Sequence, residues 1–292
     1  QLRTESRQGE KLVDPFKAAL TKAASGAAIV LLGGEIARVA RDDLGDLNIG
    51  IDALRTVRAS VPDHVPSLLT LAELCIAQRA WPEAVNALED VVERGQEPAP
   101  RLTALFTLAS VYEKVLARPE ETEKALRRAL GIEGDNPKAL RALIHCLATK
   151  QKEVDRDGGE DGTFGLIRHE IASLLERLAQ VESDRYERSE ILLELVDVRF
   201  AIGERTAAEK ALIDAIAYAS DRERPFARLR TLFESKDEGF DSVAYARALV
   251  ALIARGQQVS AVHPKWLATL GHLEIESLGR LRDGVNHMRQ AV

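Results

Sequence analysis

The chain is short of several things at once. Aromatic residues make up 4% of its 292 positions, it has two cysteines and one methionine, and no apolar run reaches the length of a membrane helix. The greasiest stretch, AAIVLLGG at 27–34, is far too short to span a bilayer, so no membrane insertion is expected. Cys75 and Cys146 form no CxxC and no Cys/His metal spacing. Each sits among apolar helical residues and reads as a small buried hydrophobe. Two cysteines do not fix a redox compartment; the cytoplasm is favoured and the periplasm stays open. Basic charge is in deficit, with Lys+Arg 40 against Asp+Glu 46 and a net charge of −6. That argues against a general nucleic-acid binder, which needs a dominant basic field to release counterions from phosphate.

Catalytic signatures are missing too. There is no GxSxG elbow, no GxxxxGK[ST], no GxGxxG and no HExxH. RHEIAS around His169 lacks a second His, and LLGGE at Gly33 and Gly34 lacks a third glycine and a following lysine. The other histidines (His64, His145, His263, His272 and His287) are scattered. No catalytic, cofactor or metal residue is expected in this segment. A catalytic domain elsewhere in a longer protein stays open.

What is present is Ala and Leu at helical spacing. Hydrophobic residues make up 46% of the chain, and these two types cost least to fix in a helix. In LLTLAELCIAQRAWPEAVNALEDVVE, Leu68, Leu71, Ala72 and Cys75 share one face, and Ala84, Leu88 and Val91 share the next. Pro82 suits the first turn of that second helix. Ala72 and Ala84 would let the two helices cross closely. The pair recurs. Leu105, Leu108, Ala109 and Tyr112 precede Thr122, Leu126 and Ala129; Leu140, Leu143, Ile144 and Leu147 precede Ile171, Leu175 and Leu178. Leu192, Leu195, Val196 and Arg199 precede Ala208, Leu212 and Ala215; Leu229, Leu232 and Phe233 precede Tyr245, Leu249 and Leu252. Leu267, Leu270 and Gly271 precede Gly284, Met288 and Ala291, and Gly50, Leu54 and Val57 mark an earlier second helix.

This pattern resembles the tetratricopeptide repeat (TPR) family, whose unit runs W-x2-L-G-x2-Y, then A-x3-F-x2-A, then a proline. DNPKALRAL, with Pro137 closing one unit and Leu140 opening the next, and HPKWLATLG, with Pro264, Trp266 and Gly271, carry it most plainly. The equivalent positions Ala72, Ala109, Ile144, Val196, Phe233 and Gly271 stand 37, 35, 52, 37 and 38 residues apart, against a family period of about 34. The resemblance implies an all-α, α-α superhelix of about seven helix pairs over 26–292. Residues 1–25 fit no repeat, and VDPFKAALTKAA reads as a lone capping helix or extension. Val292 falls inside a second helix and VNHMRQAV makes a poor cap, so the chain is expected to continue or to be covered by a partner.

The 52-residue interval contains EVDRDGGEDGT, residues 153–163. As an EF-hand starting at Asp155 it fails, with Gly159 at the fifth position, Glu160 at the sixth and Leu166 at the twelfth. A phosphate cradle would need a lysine, and the acids would repel phosphate. It is read as a flexible, acidic, Gly-rich insertion at 151–163. ASDRERPFARLR, residues 219–230, is a local basic cluster diluted by Asp221 and Glu223 and is read as a solvated connector.

In the family the first helices line a concave groove that takes extended peptides or helices. Carried over by register, the groove positions are Leu69, Glu73 and Ile76; Thr103, Phe106, Ser110 and Glu113; Lys138, Arg141 and His145; Glu190, Leu193, Asp197 and Phe200; Arg230, Glu234 and Asp237; and Lys265, His272 and Ile275. The candidate partner-binding residues are Leu69, Glu73, Phe106, Lys138, Arg141, His145, Leu193, Asp197, Phe200 and Arg230. They make a basic spot with apolar handles on either side. The fifth and ninth positions read Leu69/Glu73, Phe106/Ser110 and Arg141/His145, so the chaperone carboxylate clamp of some family members is absent. The resemblance implies an interaction scaffold for a protein or peptide, part of a larger bacterial-type protein. The alternative is a sensor domain that binds a peptide or small signal and controls an attached effector.

Overall fold

The computed structural model describes residues 13–156, 161–219, 223–235, 239–259 and 262–292. Contacts divide the chain into two compact units, Gln1–Ala139 and Leu140–Val292.

In the first unit, α1 is helical over 13–22, and Val13 and Leu20 pack with Ile36, Val39 and Ala53 of the next two helices. These are α2 (Gly26–Val39), which continues as a π turn through Ala40–Leu44, and α3 (Leu47–Ser60). Ser25 caps α2 by accepting from the amide of Ala28. Gly45, at φ 68°, stops the helix in the left-handed region, where a side chain would be strained. Then follow α4 (Val65–Ala77), α5 (Trp81–Arg94), α6 (Pro98–Lys114) and α7 (Pro119–Ile132). All four carry a proline in the first turn, where the missing N–H has no helical partner to lose. Each helix packs on the one before it. The residues at the expected inward positions are buried: Leu68, Leu71, Ala72 and Cys75, then Ala84, Leu88 and Val91, then Leu105, Leu108 and Ala109. Residues 1–12 lie outside the described residues.

The second unit continues α8 (Pro137–Arg156) and adds α9 (Asp161–Val181), α10 (Arg185–Ala201) and α11 (Arg205–Tyr218). Most of the long repeat interval is taken up by the helices themselves, which are 20 and 21 residues long in α8 and α9 against 17 and 14 in α6 and α7. Of the acidic, Gly-rich stretch at 151–163, helix covers all but 157–160, which lie outside the described residues. Asp184 caps α10 by accepting from the amides of Tyr186 and Glu187.

The sixth pair departs from expectation. ERPFARLRT is no connector: from Glu223 it forms α12 (Glu223–Thr231), with Phe226 and Leu229 buried. Arg228 is half-buried and Arg230 exposed on that helix. Leu232 and Phe233 fall in a turn, and a two-residue antiparallel strand pair, β1 (Glu234–Ser235) with β2 (Gly239–Phe240), leads into α13 (Ser242–Gln258). Phe233 and Phe240 both pack on Tyr245, at ring-centroid distances of 5.7 and 5.4 Å. Burial pushes the Tyr245 phenol up to about 12. The last pair is α14 (Pro264–Glu276) and α15 (Leu281–Gln290). Trp266 is fully buried, and Gly271 meets Gly284 backbone to backbone.

Candidate functional site

The first helices of each unit present a face that the core does not use. On α4, Leu68 and Leu71 are buried while Leu69 and Ile76 are half-buried and Glu73 is exposed. On α6, Leu105 and Leu108 are buried, Phe106 and Ser110 are half-buried, and Thr103 and Glu113 are exposed. Lys138, in the first turn of α8, is exposed, and its Nζ stands 4.4 Å from the centroid of the Phe106 ring. The first unit thus brings Phe106 and Lys138 together by a cation–π contact between successive first helices.

In the second unit the charged candidates are engaged by neighbours. Arg141 donates from Nη2 to Glu182, just past α9, and its Nη1 lies 3.5 Å from Glu187. The amide of Asp184, and then Arg141, hold the Glu182 carboxyl below its usual range. Asp197 of α10 accepts from Arg228 of α12, and the Arg230 guanidinium stands 5.7 Å from the Phe240 ring. His145 is exposed, and Leu193 and Phe200 are half-buried. The basic spot is therefore split in character, with Lys138 set on an aromatic ring and Arg141 neutralised by two glutamates.

Other first-helix pairs follow the same rule. Lys265 of α14 donates to Glu223 of α12 at 2.6 Å, and this lysine holds the Glu223 carboxyl down. A second row runs between second helices. Arg55 of α3 grips Glu83 of α5 with two N–H groups, at 2.7 and 2.6 Å. Arg58 reaches Asp90 at 2.6 Å, Arg128 of α7 reaches Glu89 of α5 at 2.7 Å, and Arg255 of α13 reaches Asp214 of α11 at 2.5 Å. Arg199, at an inward register position of α10, is held by Glu176 of α9 and by Glu204.

Register arithmetic on apolar positions passed over all of these pairs. Their signal was in the sequence as opposite charges roughly one period apart, for instance 32 residues for Arg58 and Asp90 and 31 for Arg228 and Asp197. Among the described residues, no group of three or more His, Cys, Asp or Glu side chains could hold a metal ion. No described helix is long and apolar enough to cross a membrane.

Architecture and pairing define the class as an all-α array of antiparallel helix pairs, of the helix-turn-helix kind expected from the repeat resemblance. No protein-family model matches the chain, and no curated protein matches it. Solved structures are similar to it at low identity. YrrB, described as a TPR protein with an unusual peptide-binding site, is 14% identical over 74% of this chain and 98% of its own, with a TM-score of 0.43. A MamA protein is 16% identical over 66% and 92%, at 0.44. A tetratricopeptide repeat protein from Parabacteroides merdae is 13% identical over 89% and 91%, at 0.41.

Proposed function

We propose that the chain is a protein-interaction scaffold, and that the first-helix face of the first unit takes an extended peptide segment. The observation that carries this reading is Phe106. Its neighbours Leu105 and Leu108 are sealed in the core, yet Phe106 itself is only half-buried, as are Leu69 and Ile76 on the preceding first helix. Lys138 lies over that ring and has no carboxylate partner among the described residues. An aliphatic side chain set on Leu69 and Phe106 would bury apolar surface at both. An acidic residue beside it would meet the Lys138 ammonium. The chaperone carboxylate clamp has no counterpart in this reading, because Glu73 and Ser110 stand where cation or amide donors would be needed. In the second unit, Leu193 and Phe200 offer similar apolar handles, with Arg141, Asp197 and Arg230 already spent on neighbours.

Selection of peptides from a random display library against the full chain tests the proposal. The expected winners pair an aliphatic residue with an acid. Phe106→Ala weakens them by roughly tenfold or more, and Lys138→Glu removes the preference for the acid. Winners that bind the Phe106→Ala and Lys138→Glu variants as tightly as the natural chain would overturn it.

A further inference from the structure

The second unit contains a cleft of about 520 Å³ on the side of its second helices, between α9 and α11 with α10 behind them. That volume lies within the usual range for small-molecule sites, about 300–1,000 Å³. Ala179, Leu192, Leu195 and Ala211 give it an apolar floor.

Its polar wall is built around Tyr218, at the end of α11. The Arg188 and Arg255 guanidiniums stand 5.1 and 5.3 Å from the Tyr218 ring centroid. Arg255 is fully committed: Nε donates to Asp214 at 2.5 Å, Nη1 to Gln258 at 3.0 Å and Nη2 to the Tyr218 hydroxyl at 2.8 Å. The Tyr218 oxygen thus accepts from Arg255, and its own proton is left to donate. Arg188 is fixed by donating Nε and Nη2 to the backbone carbonyl of Glu182, which leaves Nη1. Lys210, exposed at the mouth, has no hydrogen-bond or ion-pair partner among the described residues.

The carboxylates on the same wall are already answered, Glu176 by Arg199 and Asp214 by Arg255. Among the described residues, the cleft therefore holds two cations without a carboxylate and one phenolic proton without an acceptor, in a chain whose net charge is −6. Glu176 and Asp214, although paired, line the same cleft, and their charge disfavours a second negative charge on a ligand.

We propose that this cleft binds a small monocarboxylate with an aliphatic body. Its carboxylate is met by Arg188 Nη1, Lys210 and the Tyr218 hydroxyl, and its body lies on Leu192, Leu195 and Ala211. The site is separate from the peptide face of the first unit, so either can fail without the other.

Titration calorimetry of the full chain with sodium octanoate, octanamide and octyl phosphate tests it. Octanoate is expected to bind one to one, with octanamide and octyl phosphate both weaker. Lys210→Gln and Arg188→Gln should each weaken octanoate about tenfold, the usual worth of a charged hydrogen bond. Lys210 is exposed, so Lys210→Gln keeps the test valid if Arg188→Gln unfolds. Unchanged octanoate affinity in Lys210→Gln, tighter binding of octyl phosphate, or no binding of octanoate would each overturn the proposal.

Discussion

Glu83 illustrates what a single side chain does in this array. It sits on α5, and Arg55 of the preceding second helix, α3, closes on it with two parallel N–H donors. That pairing holds the Glu83 carboxyl below its ordinary value. A carboxyl whose folded pKa lies below its unfolded one adds stability above the unfolded value. That stability is lost as the pH falls through the folded value. Glu83→Gln should therefore destabilise the protein at pH 7 by roughly 0.5–1 kcal/mol, as expected of a well-formed surface pair. The difference should shrink once the pH drops below the ordinary glutamate range, about 4.3. Chemical denaturation of both proteins at pH 7 and pH 3 measures it; an equal difference at both pH values would contradict the assignment. Residue-scale facts of this kind were only half legible in the sequence. Cys75 and Cys146 read as buried hydrophobes and are buried. The partners of Arg55, Arg141 and Lys138 were not legible, because pairing across repeats depends on side-chain reach as well as on period.

Among the helices, small residues decide how closely a pair can close. A Cβ on Gly284 would stand 2.6 Å from the carbonyl oxygen of Gly271 and from Ile275 Cγ1, and a Cβ on Gly271 would stand 2.6 Å from Met288 Cγ. Backbone oxygen cannot swing away, so α14 and α15 must separate to admit a methyl group. Gly284→Ala is expected to cost roughly 1–3 kcal/mol, the usual toll of overpacking, and to lower the thermal midpoint. Gly131→Ala in α7, where nothing lies within 4 Å, serves as the control and should be neutral or stabilising. A Gly284→Ala protein that melts with the natural one would refute the close crossing. These crossings were readable, since Gly271 and Gly284, like Ala72 and Ala84, fell at the small-residue positions of the repeat. The sixth pair was not. Leu232 and Phe233 keep helical spacing, but the chain leaves helix at Thr231 and buries Phe233 against Tyr245 from a turn. Periodicity cannot tell these two solutions apart, because both bury the same ring.

Across the molecule, an Ala- and Leu-rich, aromatic-poor composition was enough to indicate a helical fold with close helix–helix contacts. The repeat period located the pairs. It could not say that the 52-residue interval would be filled mainly by lengthening α8 and α9, because acidic and Gly-rich composition disfavours helix without forbidding it. The candidate partner face was legible as register positions, and its chemistry was not. Of the two cations central to it, one rests on Phe106 and the other is bound to Glu182. The proposed recognition surface is therefore Leu69, Phe106 and Lys138. Hydrogen–deuterium exchange of the full chain, with and without a selected peptide, tests this most directly. Slowed exchange in α4, α6 and the first turn of α8 is predicted. Protection confined to the second helices α5 and α7, or no protection in the first unit at all, would contradict it.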